Sequence, residues 1–265
     1  KYFDQFGCVI GDEAHMFKAK SLTGIMTKMH HCKYRFGLTG TLDGTQTHQL
    51  VLEGLFGAVE KVVTTKQLID KNTLAKLKIK CVILKHQEIR EKMTYAEELE
   101  YLVTNEKRTD FVVNLLRHLN GNTLCLFQLV EKHGKILNDK MKGSENVYFV
   151  YGGTDTSERE KIRGLVEKHT KSTTIASYGT FSTGINIRNI HNIVLASPSK
   201  SKIRVLQSIG RGLRTSSDKD SVLVYDIADD ISYNERRNFT LNHFTERLNI
   251  YNEEQFDYDI SKVKL

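Results

Sequence analysis

Along the chain, short apolar runs alternate with segments whose apolar residues recur at helical spacing. The runs at 8–10, 34–38, 79–84, 124–127, 147–150, 173–176, 193–196 and 222–225 are strand-sized. Between them Leu22, Ile25, Met26 and Met29, then Phe111, Val112, Leu115, Leu116 and Leu119, then Ile162, Leu165 and Val166 fall on single helix faces. That alternation predicts a parallel sheet covered by helices, an α/β class. Ser157 followed by Glu160 resembles a capping box, and Gly121 after Leu119 suits a helix stop.

Two of these runs precede the stretch 44–72 and six follow it. A sheet of two strands exposes both edges and buries too little, so the first segment is expected to be the tail of a domain that begins upstream. The expected boundaries are 1–76 for that tail, 77–232 for a complete second domain, and 233–265 for a C-terminal helix and acidic tail. Phe239, Leu241, Phe244, Leu248 and Tyr251 mark the helix, and 253–259 is acidic. The charged, helix-prone stretch 88–105 reads as an insertion that leans between domains.

With 265 residues and 39% hydrophobic content the chain has enough apolar material for a proper core. A single proline, no tryptophan and no low-complexity run exclude collagen-like, disordered and mucin-like classes. The longest apolar runs fall far short of the ~20 residues of a membrane span. The first residues hold no apolar signal core, and a cytoplasmic protein is expected. Net charge +7 favours polyanionic partners, although a solvated lysine-rich face gives the same charge. Cys8, Cys32, Cys81 and Cys125 form no C-x-x-C pair and read as reduced, buried packing residues. His30-His31-Cys32 has no second ligand group at zinc-finger spacing, so no metal is expected there.

Asp12 and Glu13 directly follow the run at 8–10, at the carboxyl end of a strand, where open α/β sheets bind ligands. There Asp12 suits a magnesium ion and Glu13 an attacking water, and a solvated acidic turn would read the same. Leu38-Thr39-Gly40-Thr41 ends the next strand, which puts its hydroxyls beside Asp12 and His15, or else closes a plain turn. Gly152 and Gly153 lie between the run at 147–150 and the helix at Ser157, an opening that suits a nucleic-acid phosphate and equally a strand-to-helix turn. Residues 177–186, with Tyr178, Thr180, Ser182, Thr183, Gly184 and Asn186, offer hydroxyls and open backbone to sugar and phosphate. Gln207, Arg211 and Arg214 fall on an apolar-periodic segment with Ile203, Leu206, Ile209 and Leu213, so they share one helical face and call for an anion. Gly210 and Gly212 weaken that helix, a cost that makes sense where the backbone approaches something closely. No G-x-x-x-x-G-K-[ST] phosphate loop occurs, and His133-Gly134-Lys135-Ile136 lacks the first glycine and the hydroxyl.

Asp12-Glu13-Ala14-His15, Leu38 to Thr41, Leu124 to Phe127, Tyr151-Gly152-Gly153, residues 180–186 and Gln207 to Arg214 together resemble motifs two to six of the DEAH-type superfamily-2 helicases, in order. The resemblance implies a first RecA-like domain of which 1–76 is the C-terminal part, and a second RecA-like domain at 77–232. It implies an ATP- and Mg2+-dependent motor that remodels branched or duplex DNA and RNA–DNA hybrids, binds no membrane, and needs the missing N-terminal half of the first domain for activity. By that resemblance Asp12 holds magnesium and Glu13 is the general base. His15, Thr39 and Thr41 couple hydrolysis to movement. Gln207, Gly184 and Asn186 contact the nucleotide, Arg211 and Arg214 reach the γ-phosphate, and Gly152, Gly153, Tyr178, Thr180, Ser182 and Thr183 bind nucleic acid. Asn186 stands where the family often has an acidic residue. A non-catalytic nucleic-acid-binding module and an RNA helicase are the other readings.

Overall fold

The computed structural model describes the chain apart from residues 1, 41, 43–45, 90, 181–186, 199–200 and 216–218, and gives only the backbone of 18, 202 and 203. Packing divides the chain into Lys1–Val63 with Ser201–Gln207, and Thr64–Lys200 with Ser208–Leu265.

In the first unit β1 (Cys8–Gly11) pairs in parallel with β2 (Tyr34–Gly37), with Gly11 opposite Gly37. Helices α1 (Lys20–Lys28) and α2 (Gln46–Phe56) supply its core, where Met26, Met29, Cys32 and Leu55 meet Val9, Phe17 and Phe56. The glycine pair admits the aromatic rings: a Cβ on Gly11 would lie 2.9 Å from the Phe17 ring, and one on Gly37 2.9 Å from the Phe56 ring. Ile10, Tyr34, Phe36 and Leu38 remain more than half exposed along the two strands. Cys8 is exposed too, which corrects the expectation that all four cysteines pack inside.

The second unit begins with α3 (Thr65–Asp70) and β3 (Lys76–Lys85). There follow α4 (Tyr95–Thr104), α5 (Glu106–His118), β4 (Asn122–Phe127), a π-turn (Val130–Gly134), α6 (Lys135–Lys140), β5 (Val147–Val150), α7 (Thr156–Val166), β6 (Ser172–Ser177) and β7 (Asn192–Leu195). The helix α8 (Lys202–Gly212), whose first residues group with the first unit, leads to β8 (Ser221–Asp230), α9 (Phe239–Glu253) and β9 (Tyr258–Lys264). The seven strands make one parallel sheet in the order β5-β6-β4-β7-β8-β3-β9. β4 and β6, buried along their whole length, read as unbroken apolar or small-residue runs because both faces are covered.

Every run read as a strand forms one. β9 comes in addition, where an acidic tail was expected, and pairs with β3 from Ile79 opposite Tyr258. It is an edge strand with exposed Asp259, Ser261 and Lys262, and an edge needs no apolar run to form. The helix start at α7 also differs: Asp155 is the cap, its Oδ1 accepting the Ser157 amide at 2.8 Å, while Glu160 pairs with Arg163. The capping boxes stand elsewhere, at Thr64 with Gln67 and Thr94 with Glu97. Gly121 stops no helix itself: α5 closes on extended Leu119, and Gly121 follows at φ +80°, where a Cβ would meet the His191 ring at 2.8 Å. The stretch read as an insertion belongs to the second unit. Its α4 buries Leu99, Leu102 and Val103, and its buried Glu98 carboxylate accepts the Phe239 amide (2.9 Å), the Thr240 amide (2.6 Å) and the Asn238 side chain (3.0 Å) at the start of α9.

Two buried carboxylates on β8 fasten helices to the sheet. Asp226 is held by Arg247 Nη2 (2.7 Å) and the Tyr251 hydroxyl (2.7 Å), both on α9. Asp229 accepts Arg108 Nε (2.8 Å) and Nη2 (3.0 Å) from α5, and His86 Nε2 stands at 2.8 Å from it. Burial alone would raise the Asp229 carboxyl, but the Arg108 guanidinium and the His86 ring outweigh it and hold it at about 2.

Removing Arg108 leaves the Asp229 charge buried without its partner, so Arg108→Ala is expected to cost about 3–5 kcal/mol, read as a lower urea midpoint. Protonation acts on the same pair. The unfolded chain, with an ordinary carboxyl near 3.8, takes up the proton first. The contribution is therefore complete above about pH 4 and is lost as pH falls towards about 2, on the order of 2 kcal/mol in all. Urea midpoints at about pH 5 and about pH 3 check this: the wild-type chain should lose more than Arg108→Ala between them.

Candidate nucleotide and nucleic-acid sites

β1 ends at Gly11 and the chain turns at once. Glu13 takes a left-handed backbone (φ 49°, ψ 49°), a conformation costing a non-glycine residue roughly 1–2 kcal/mol. The turn is stapled to the tip of β2: the Leu38 amide donates to Gly11 O and the Ala14 amide to Leu38 O, each at 2.8 Å. That staple brings His15 Nδ1 to 2.9 Å from Thr39 Oγ1 and 3.2 Å from Glu13 Oε2. A proton on Nδ1 would serve both oxygens, so the buried ring links the Glu13 carboxylate to the end of the next strand. Asp12 is exposed, and its Oδ1 accepts the Glu13 amide at 2.8 Å. No group of three or more His, Cys, Asp or Glu residues is arranged for a metal among the described residues. A lone carboxylate fits magnesium, which keeps several waters and binds through one or two carboxylates with substrate phosphates. Thr41, the second threonine of that strand end, lies outside the described residues.

Gln207 and Arg211 are half-buried on α8 while Val205, Ser208 and Ile209 are buried. Arg214 differs from the expectation of one shared helical face, because the helix closes at Gly212 and Arg214 lies beyond it, exposed. Of the two glycines, only Gly212 makes a close approach: its Cβ would fall 2.5 Å from Ile193 Cδ1, whereas Gly210 faces open space. The end of the helix is anchored through its carbonyls. Lys219, buried, donates to Gly212 O (2.6 Å) and Arg188 O (2.9 Å), and the Ala75 amide donates to Leu213 O (2.9 Å). Burial lowers the Lys219 ammonium to about 8.

At the tip of β5 the Tyr151 amide donates to Thr154 Oγ1 (3.1 Å) and Arg159 Nη2 donates to Gly152 O (3.1 Å), leaving Gly152 and Gly153 exposed on the turn. After β6, Tyr178 and Thr180 are buried. The Tyr178 hydroxyl donates to Ser197 O (3.1 Å), and Thr180 Oγ1 lies 2.8 Å from Ser177 Oγ. Both hydroxyls are thus spent inside the unit. Ser182, Thr183, Gly184 and Asn186 lie outside the described residues.

Sequence reasoning missed the residue on which these tips converge. Ser197, just past β7, accepts the Gln128 amide at Oγ (3.1 Å) and has His133 Nδ1 at 2.9 Å from the same oxygen, beside its bond from Tyr178. Burial lowers the His133 ring to about 3, so it stays neutral. Gly134 sits against Phe127, whose ring a Cβ would meet at 2.5 Å; the near-match to a phosphate loop is a packing contact. A serine before the chain's single proline was the available signal.

Residues 106–216, from α5 through α8, match the helicase conserved C-terminal domain. Over its whole length the chain is 34% identical to the ATP-dependent DNA helicase uvsW of Enterobacteria phage T4, 56% of which the alignment spans. The crystal structure of T4 UvsW aligns over 99% of this chain and 55% of its own, at 33% identity and a TM-score of 0.63. A fragment of a putative HsdR subunit of a type I restriction enzyme from Vibrio vulnificus aligns over 99% of this chain and 49% of its own with a TM-score of 0.71, and at 16% identity shows shared fold alone. The chain spans about half the length of the curated relatives it matches. With a helicase C-terminal domain at 106–216 and a likeness to UvsW running from end to end, the chain is similar to the superfamily-2 helicases.

Proposed function

We propose that this chain is part of the motor of an ATP-dependent DNA helicase. The observation that carries the reading is the link from strained Glu13 through His15 Nδ1 to Thr39 Oγ1, 2.9 Å away, because it joins a candidate base to a neighbouring strand tip. Bound magnesium–ATP supplies the scissile phosphate and part of its charge neutralisation. Asp12 would hold the ion. Glu13 orients the attacking water and accepts its proton. Arg211 and Arg214 stabilise negative charge on the departing phosphoryl group, with Arg214, beyond the helix end, as the finger. Gln207, Gly184 and Asn186 contact the nucleotide, and His15, Thr39 and Thr41 pass its state to the strand-moving parts.

On the second unit the exposed turn at Gly152 and Gly153, together with Ser182 and Thr183, contacts the nucleic-acid backbone, while Tyr178 and Thr180 fix the chain just before them from inside. The exposed row Ile10, Tyr34, Phe36 and Leu38 suits cover by further strands of a first RecA-like domain, and the motor needs that half with its phosphate loop to turn over. The substrates we infer are branched DNA at junctions and stalled forks, and RNA–DNA hybrids, in recombination, repair and replication in the host-cell cytoplasm. No helix among the described residues is long and apolar enough to cross a membrane.

In a polypeptide that carries a phosphate loop, Glu13→Gln is expected to leave ATP binding intact and lower turnover at least ~100-fold. Arg214→Ala should lower it about 1,000-fold or more. Near-normal hydrolysis by either variant overturns that residue's role. Thr39→Val removes the hydroxyl beside His15; it should leave DNA-stimulated hydrolysis within about threefold while forked-DNA unwinding falls about tenfold, the separation expected of a coupling residue. Unwinding of an RNA duplex in place of forked DNA would move the assignment to RNA.

A further inference from the structure

Beyond the helicase motifs, a trough opens in the second unit between residues 89 and 91–93, which follow β3, and 231–239, which follow β8. It has a volume of about 140 Å3, and its lining includes Ile89, Lys92, Met93, Arg237 and Phe239. We propose that this trough binds single-stranded nucleic acid, with one base against Phe239 and the adjoining phosphates on Lys92 and Arg237.

The trough is built rather than incidental. Arg236 Nη2 donates to Ile89 O (2.7 Å) and Glu91 O (2.6 Å), tying one wall to the other. Phe239 is 44% exposed although it opens α9, and its amide is fixed by Glu98 Oε2 at 2.9 Å. Its ring stands edge-to-face with Tyr95 (centroids 6.3 Å apart), and Tyr95 in turn packs on His243 (5.1 Å). A supported, outward-facing ring loses little freedom when a base stacks on it. Lys92 and Arg237 are exposed at the rim. Of the two acidic residues in the lining, Glu98 is consumed by the start of α9, which leaves Glu91 against the cations. An aromatic platform among cations is the chemistry of single-strand binding, since every base offers a π-face and every phosphate a charge.

Topology places the trough on the right edge. All seven strands are parallel, so the segments after β3 and β8 leave the same edge of the sheet as the glycine turn after β5 and Tyr178 after β6. From β5 to β3 the order β5-β6-β4-β7-β8-β3 crosses five neighbour steps, roughly 24 Å at ~4.8 Å per step. A strand engaged at the β5 and β6 tips reaches the trough by continuing along that edge. The proposal rests on the motor reading above for the first of these contacts and adds a second.

The test is binding of a fluorescent single-stranded DNA of about 20 nucleotides, longer than the ~4–16 nucleotides that such sites cover, to the full chain over a salt series. Thermal midpoints confirm that each variant is folded. Phe239→Ala is expected to weaken binding about tenfold and Phe239→Tyr to restore it. Lys92→Glu with Arg237→Glu should weaken it similarly and flatten the salt slope by about 1–2. Gly152→Asp, at the other end of the path, is expected to weaken binding independently. If Phe239→Ala and the double charge reversal both bind as the parent does while Gly152→Asp does not, the trough is overturned and the motor reading stands. If the charge reversal acts but Phe239→Ala does not, base stacking is wrong and the proposal falls with it. If the parent chain itself binds no DNA, the nucleic-acid reading on which the trough rests is what fails.

Discussion

The second unit depends on a problem of charge burial solved twice on one strand. Asp226 and Asp229 are three residues apart on β8, so the pleat sends them to opposite faces of the sheet. A buried carboxylate is tolerable only when a cation and hydrogen bonds replace its water, and each face supplies them from its own helix: Arg247 and Tyr251 from α9, Arg108 from α5. Neither helix can slide along its face without stranding a charge. Apolar contacts such as those of Val112, Val113 and Leu116 with the sheet supply adhesion, and the ion pairs supply register. Arg108 extends the constraint sideways, because its Nη2 also donates to Ala196 O at 2.8 Å, next to the serine on which the loop tips converge.

Those convergences explain how loops at the strand ends hold their shape. Ser197 gathers the ends of β4 and β7 and the first residue after β6, and Lys219 gathers the end of α8 and the backbone at Arg188. In both places a buried polar side chain bonds to main-chain groups, Lys219 to carbonyls and Ser197 to the Gln128 amide. In the first unit the logic is reversed. There the backbone at Glu13 is held in a costly conformation by the staple between β1 and β2, and the strained residue is the one whose carboxylate faces solvent. The strain at Glu13 is thus retained at an exposed acidic side chain, where relaxation would harm no core.

In the second unit the strands up to β8 were legible because most are apolar runs covered on both faces, and such burial leaves its trace in composition alone. β9 was not, since an edge strand among Asp259, Ser261 and Lys262 carries the composition of a loop. The helix starts at Thr64 and Thr94 could have been found from Thr-x-x-Gln and Thr-x-x-Glu, whereas Ser157 with Glu160 had the same pattern and lost to Asp155, which lies nearer the first free amides. Proximity of His15 and Thr39 followed from parallel neighbouring strands. The inward turn of Tyr178 did not follow, because a tyrosine among serines and glycines reads as a surface residue until its hydroxyl finds Ser197 O. Arg214 was misjudged because periodicity says nothing about where a helix ends. The ending is set by Gly212 wedged against Ile193 and by the capping of its carbonyls.

The position of β3 in the sheet also bears on how the molecule comes into being on the ribosome. It is the earliest strand of its sheet to be synthesised, yet its two neighbours are the last two, with Lys76 waiting for Ser221 and Ile79 for Tyr258. At ~5–20 residues per second the nascent strand stays unpaired for roughly 7–30 s while everything between is translated. Its Lys76, Lys78, Lys80 and Lys85 alternate with or flank the apolar residues during that interval, a built-in deterrent to sticking to another growing chain before its partners emerge.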